Sequence, residues 1–303
     1  MFISRLGLRA AETRVKAILS ALNNPVDVND SVLREWRESA TYWEKHGQTI
    51  RTMFAPLTRA LIEEAGIREG AHVVDVAGGP GEPSLTIAEV VRPSGSVMCT
   101  DVVAEMVAAA EREARRRGLA NIEFRQAPAD SLPFGDNTFD AAVCRLGVMF
   151  FPDSLAGVTE MLRVTKPDGK ISFAVWAKSE LNPFAYVITN IVSRYIETPP
   201  ADLNAPGAFR FAEPGALVHV LTAAGARNVT ERALRFYIEA PITPKEFWEM
   251  RSQTSGTLRE KLEALPQAQT DRIAQDVEGS LGEFFPENQM RFPAEMLVIT
   301  GTK

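Results

Sequence analysis

Residues 73–91 read VVDVAGGPGEPSLTIAEVV: an apolar run of strand character, a glycine-rich bend and the opening of a helix. A strand that enters a helix through such a bend is the first unit of an α/β fold that binds nucleotides at its strand ends. Gly79 and Gly81 permit positive φ and let a ligand approach the backbone closely. The bend is led into by a carboxylate, Asp75, which would repel a neighbouring pyrophosphate. The ligand must accept both.

Outward from this stretch, strands and helices alternate in the manner of βαβ units and a parallel sheet. A second strand, residues 96–100, ends at Asp101, and a helix of strong formers follows, stopped by Gly118. Residues 121–126 and 139–146 give the third and fourth strands, with turn chemistry between them. A helix over 154–164 leads through the turn KPDG into a fifth strand, 170–177. Residues 178–211, rich in proline and aromatics, interrupt the alternation. It resumes with a helix ending at Gly225 and a sixth strand, 228–240. A second interruption opens at Thr243-Pro244-Lys245-Glu246, a capping-box pattern, and stays helical to about 285. A seventh strand begins near Ala294.

The expected fold is therefore α/β: a doubly wound, seven-stranded Rossmann-like sheet over residues 71–303. Residues 1–70 are expected to form an N-terminal helical lid segment, and insertions fall at about 178–211 and 243–285. Such additions leave the carboxyl ends of parallel strands, where these sheets bind ligands.

A formal net charge of −6 gives no general pull toward nucleic acid or an anionic membrane. The one basic run, Arg115 to Arg117, suits the negative end of a helix dipole and reads as a solvated terminus. Cys99 and Cys144 lie in strand-like runs and read as core residues in a reducing compartment; no spacing resembles a metal site. No apolar run approaches the roughly 20 residues of a membrane span. The N-terminal residues 1–22 are Arg-containing and amphipathic, yet Glu12 and the apolar spacing favour an ordinary helix over a transit peptide. A cytoplasmic protein acting on a small molecule is expected, in an oligomeric state the sequence leaves open.

Asp101 follows Gly81 by the roughly 20 residues expected of an acid that grips a ribose diol, so the ligand is a nucleoside. For a nicotinamide or flavin fingerprint a third small residue is wanted, and Ser84 stands there. Asp75 is the heavier objection, because a dinucleotide brings two phosphate charges to this turn. S-adenosyl-L-methionine brings none. Its ammonium, carboxylate and sulfonium suit a bend with one carboxylate and several free N–H groups.

Four segments, AGIREGAHVVDVAGGPGEPS, CTDVVAEMV, LPFGDNTFDAAVCRLGVMFFPD and VTKPDGKISFAVW, occur in an order that resembles the class I S-adenosylmethionine-dependent methyltransferases, and within them the ubiquinone/menaquinone-biosynthesis (UbiE-like) type. The resemblance runs from about Trp36 to Lys303. It implies that Asp75, Ala77, Gly79 and Gly81 face the methionine part of the cofactor, that Asp101 holds the ribose, and that Val102 and Met106 lie beside the adenine. The family's adenine-binding Asp is matched by Pro128, which has neither carboxylate nor N–H. Either Asp130 substitutes or the Ala129 backbone and packing hold the ring. Arg145 and Leu146 match positions bordering cofactor and substrate.

Methyl transfer requires alignment more than acid-base groups, and a base helps only for some acceptors. Of three histidines, His72 and His219 read as structural, whereas His46 lies in the N-terminal segment expected to cover the site; His46, Tyr42 and Arg145 are the catalytic candidates. Aromatics in the additions, among them Trp36, Trp43, Phe54, Phe184 and Phe247, would enclose an apolar acceptor if the segments meet over the strand ends, or would merely pack. The expected function is methyl transfer from S-adenosyl-L-methionine to a small, aromatic or apolar acceptor. The alternatives are a protein that holds this cofactor while guiding cyclisation or decarboxylation, and a nicotinamide-dependent oxidoreductase.

Overall fold

The structure, a computed structural model, describes residues 25–196 and 205–303. The N-terminal helix expected over residues 1–22 lies outside them, as do Pro199 and Pro200 of the first insertion.

Two helices, α1 (Pro25–Lys45) and α2 (Gly47–Glu64), precede the sheet. The alternation that follows is β1 (His72–Val76), α3 (Ser84–Val91), β2 (Ser96–Asp101), α4 (Ala104–Arg117), β3 (Ile122–Gln126), β4 (Phe139–Arg145), α5 (Ser154–Val164) and β5 (Thr165–Trp176). Then come α6 (Pro183–Val192), α7 (Ala216–Ala223), β6 (Arg227–Ala240), the three helices α8 (Pro244–Thr254), α9 (Gly256–Glu263) and α10 (Gln267–Ser280), and β7 (Met290–Thr302).

Local chemistry sets the boundaries. Gly118 ends α4 at φ 69°, its N–H returning to the last-turn carbonyls. Asp153 starts α5 by accepting from Ala156 N–H. Thr243 and Glu246 close the expected capping box on α8. Ser255 caps α9 and Pro266 precedes α10, so the second insertion breaks into three helices.

The sheet order is β3-β2-β1-β4-β5-β7-β6. β1 through β5 are parallel where they pair, and buried Val73, Val74 and Val76 show why the central strands read as near-continuous apolar stretches. One expectation is corrected: the sheet is not wholly parallel, because β7 runs antiparallel to both β5 and β6. It also starts at Met290, ahead of Ala294. Pro293 obscures that start, but it lies where β7 pairs β6 alone, before the pairing with β5 begins at Met296.

The two leading helices separate in role. α2 carries Met53, Phe54, Leu57 and Leu61 into the main core and packs on β5, β6 and β7, so it belongs to the sheet's helical cover. α1 instead packs on α4, α8 and α9. Arg112 ties it down through a two-pronged pairing with Glu44, 2.7 Å at each contact. Arg115 and Arg116 are solvated as expected. Arg117 differs: it turns inward to Glu82 and Glu113, because the glycine bend places Glu82 within its reach. Both cysteines are buried free thiols, pushed up in pKa by burial. Among the described residues, no helix is long and apolar enough to cross a membrane.

Candidate functional site

Parallel strands put the carboxyl ends of β1, β2 and β4 side by side, and the candidate residues gather there. Asp75, one residue from the end of β1, is fully buried. Ser84, at the start of α3, donates both its N–H (3.1 Å) and its hydroxyl (2.6 Å) to Asp75 Oδ2. Oδ1 is buried and has no partner among the described residues. Burial lifts the carboxyl to about 7, against the pull of Ser84 and the Arg145 cation. The charge invoked against a pyrophosphate is therefore only partly present near neutrality until a cation arrives.

Between Asp75 and α3 the chain turns through left-handed conformations at Ala77 (φ 59°), Gly79 (φ 55°) and Gly81 (φ 113°). A Cβ on Gly79 would meet nothing within 4 Å, so this turn faces open space; one on Gly81 would strike Leu85 at 2.6 Å. Gly78 is packed against Cys99 and Asp75.

Asp101 ends β2 and braces the bend. Its Oδ2 accepts from Gly79 N–H and its Oδ1 from Val103 N–H, each at 2.9 Å. Burial raises its carboxyl to about 6, and these backbone donors hold it down from going further. Each oxygen keeps a second lone pair for a ligand hydroxyl.

Val102 is exposed, Asp130 is exposed and Ala129 is half-buried, packed near Gly157. Met106 is 2% exposed because α1 covers it with Ala40, Trp36 and Trp43. Trp36 also meets Phe150, which follows β4, with ring centroids 5.1 Å apart. α1 thus reaches from the end of β2 to the end of β4.

Arg145 ends β4. It donates to Thr58 Oγ1 (2.8 Å) and to the Glu82 carbonyl (3.0 Å), lies over Phe54, and keeps a buried Nε with no acceptor. Leu146 follows in a left-handed conformation, φ 60°. Arg145 therefore stands beside the bend. His46 does not: it sits at the α1–α2 junction with Nε2 at 2.8 Å from Gln253 Oε1. The Gln253 amide nitrogen points to Glu249, so its oxygen is the acceptor and His46 Nε2 donates. Tyr42 lies beneath the Arg259 guanidinium, facing α9.

The aromatics of the additions pack on one another. Phe54, Trp176, Phe184, Phe247, Phe285 and Phe292 form a linked series of mostly edge-on contacts. Residues that sequence reasoning passed over are Ser84, noted there only as a missing glycine, and Thr58; Phe150, after the fourth strand, is expected either to line the acceptor space or to pack in the core. Ser84 was legible as a hydroxyl at a helix start, nine residues after a buried acid.

These residues fit S-adenosyl-L-methionine. An unpaired buried carboxylate oxygen awaits a donor, Gly79 opens to space, and a strand-end acid keeps acceptors free for a diol. A group of three or more His, Cys, Asp or Glu placed for a metal is absent among the described residues.

The sequence model of the ubiE/COQ5 methyltransferase family matches residues 10–193, well over half of the chain. The chain belongs to the ubiE/COQ5 methyltransferase family. The chain is 33% identical over 130 residues to the ubiquinone/menaquinone biosynthesis C-methyltransferase UbiE of Pasteurella multocida, covering 43% of this chain and 48% of that one. It is 30% identical over 197 residues to the nocamycin O-methyltransferase of Saccharothrix syringae, covering 62% of this chain and 70% of that one. The matched stretch spans about half the length of most of the curated relatives, UbiE proteins included. Among solved structures, a SAM dependent methyltransferase from Aquifex aeolicus shares the fold at TM-score 0.50 and 23% identity, over 65% of this chain and 91% of that one. The ubiE/COQ5 match ends at residue 193, before α7, β6, the second insertion and β7.

Proposed function

We propose that the protein is an S-adenosyl-L-methionine-dependent methyltransferase acting on a small organic acceptor with an aromatic or apolar body. The observation that carries this reading is the partnerless oxygen of buried Asp75 at the head of the glycine bend, which calls for a ligand bearing an N–H donor or a cation. The ammonium of an amino-acid tail meets that need, and a diphosphate does not.

In this reading Asp75, Ala77, Gly79 and Gly81 hold the methionine part and Asp101 the ribose, while Val102 and Ala129 or Asp130 border the adenine. When bound, the cofactor supplies a methyl group on a cationic sulfur, which the acceptor's nucleophilic atom takes in line. The chain's own part is to bind, align and keep water out. α1 acts as the lid, with Trp36 and Trp43 over the end of β2, and α8 with α9 hold it in place. Arg145 fixes the bend through the Glu82 carbonyl and sets the position of Phe54. His46 serves as the pin between α2 and α8, with its Nε2 proton held by Gln253. Transfer by alignment alone requires no general base.

The test is calorimetry with S-adenosylmethionine and NAD, followed by incubation of labelled cofactor with phenols, quinols, thiols and amines. Tight binding of S-adenosylmethionine and stoichiometric S-adenosylhomocysteine with one acceptor class are expected. Binding of NAD alone overturns the reading.

A further inference from the structure

We propose that Arg251 receives a carboxylate on the acceptor, so that the molecule methylated is a small aromatic or apolar acid. The inference deepens the methyltransferase reading and rests on it.

Arg251 stands one turn after Phe247 on α8, so the two share a helix face, and Phe247 is fully buried. The Arg251 guanidinium carbon lies 4.8 Å from the centre of the Phe184 ring. Its Nε is buried with no hydrogen-bond partner, and among the described residues no carboxylate or carbonyl pairs with the rest of the group. The nearby acids are committed elsewhere: Glu246 closes the helix cap and Glu249 takes Lys45. Burial lowers the Arg251 pKa to about 10, with no opposing charge to raise it.

The other sheltered arginines are treated differently. Arg117 has Glu82 and Glu113, Arg163 has Glu160 and Asp136, and Arg259 has Glu38, Ser39 and the Gln253 carbonyl. Arg251 is half-buried, with its Nε sealed off and without an acceptor, a state that is disfavoured and that a ring face compensates only in part. A ligand that brings the missing charge would be bound strongly for that reason.

Its place in the fold points to the acceptor rather than the cofactor. Phe184 stacks on Trp176, at the carboxyl end of β5, and meets Phe54 edge-on, while Arg145 beside the glycine bend lies over Phe54. Arg145 and Arg251 thus flank one run of rings. Arg145 is engaged with Thr58 and the Glu82 carbonyl, whereas among the described residues Arg251 has only Phe184 beneath it. A nucleoside at the bend is served by Asp75 and Asp101, two aromatic rings away. The group that reaches Arg251 therefore belongs to the acceptor. One guanidinium offers a planar pair of N–H donors and balances one unit of charge, which a carboxylate carries and a phosphate monoester exceeds.

The test uses the full chain saturated with S-adenosylhomocysteine and titrated calorimetrically with benzoate and phenylacetate, each against its uncharged amide. The acids are expected to bind about tenfold or more tightly than the amides. Arg251→Gln should remove that preference and leave the amides within about twofold, and Arg251→Lys should recover part of it. S-adenosylhomocysteine affinity should stay the same in both variants, which separates this result from the cofactor reading. Equal affinity of acid and amide for the wild type, no acid binding at millimolar concentration, or a preference that survives Arg251→Gln overturns the inference. If Arg251→Gln does not fold, the wild-type preference and its weakening in Arg251→Lys decide. Failure of S-adenosylhomocysteine to bind would instead overturn the methyltransferase reading.

Discussion

Ser84 directs two hydrogen bonds, from its N–H and its hydroxyl, at one oxygen of Asp75 and leaves the other oxygen bare. The protein therefore carries a carboxyl whose folded pKa, about 7, exceeds the ordinary 3.8. Between those values the folded state keeps a proton that the unfolded chain has released, so stability falls as pH rises through this window. A gap of about three units corresponds to at most about 4 kcal/mol. Asp75→Asn should flatten this dependence, raising the melting temperature at pH 8, and weaken S-adenosylmethionine binding by tenfold or more. Wild-type affinity should increase with pH up to about 7 and then level. Melting curves and calorimetry from pH 5 to 9 check both.

Asp101 takes one N–H from the bend and one from the start of α4. Asp101→Ala leaves both donors without that acceptor. We expect a loss of about 1–3 kcal/mol in cofactor binding, and a lesser loss with Asp101→Asn, which keeps one acceptor oxygen. Titration of both variants with S-adenosylhomocysteine measures the difference.

The two glycines of the bend should separate folding from binding. An alanine at Gly81 has an unfavourable φ and meets fully buried Leu85, so Gly81→Ala is expected to cost about 2 kcal/mol or more of stability. Gly79→Ala meets no neighbour, so its cost is confined to the left-handed φ of 55°, about 1–2 kcal/mol. It should fold with that smaller loss and impair ligand binding. Urea unfolding alongside titration tests the contrast.

Trp36 joins the Met106 cluster to Phe150. If α1 closes over the nucleoside, Trp36→Ala should weaken S-adenosylmethionine by about 1–2 kcal/mol, chiefly through faster dissociation. Stopped-flow displacement measures it. An unchanged off-rate would remove α1 from the site.

Much of the fold was legible because the first five strands obey simple local rules. Val73, Val74 and Val76 make a nearly continuous apolar run broken only by Asp75, Gly118 stops a helix, and Thr243 with Glu246 announces another. The reversed direction of β7 was not legible, since strand direction depends on how a long helical connection returns. Nor was the division between α1 and α2: both are amphipathic, and only the partner surface distinguishes a helix on the sheet from one across its edge. At the site, Asp75, Gly79 and Asp101 were readable from spacing. The engagement of His46 with Gln253 was not, because it joins side chains 207 residues apart. Arg251 carries no local signal, as a missing partner becomes visible only in three dimensions.

β6 and β7 remain in register from Ala240↔Met290 to Thr230↔Thr300, so helices α8 to α10 are in effect the loop of a long hairpin. Its two stems can stay zipped whatever the loop contains. Residues 243–289 are thus a cassette on a fixed stem, but one that also anchors α1: Thr254 takes the Trp43 N–H and Gln253 takes His46. A graft of this segment would leave the sheet intact only if it kept those two acceptors.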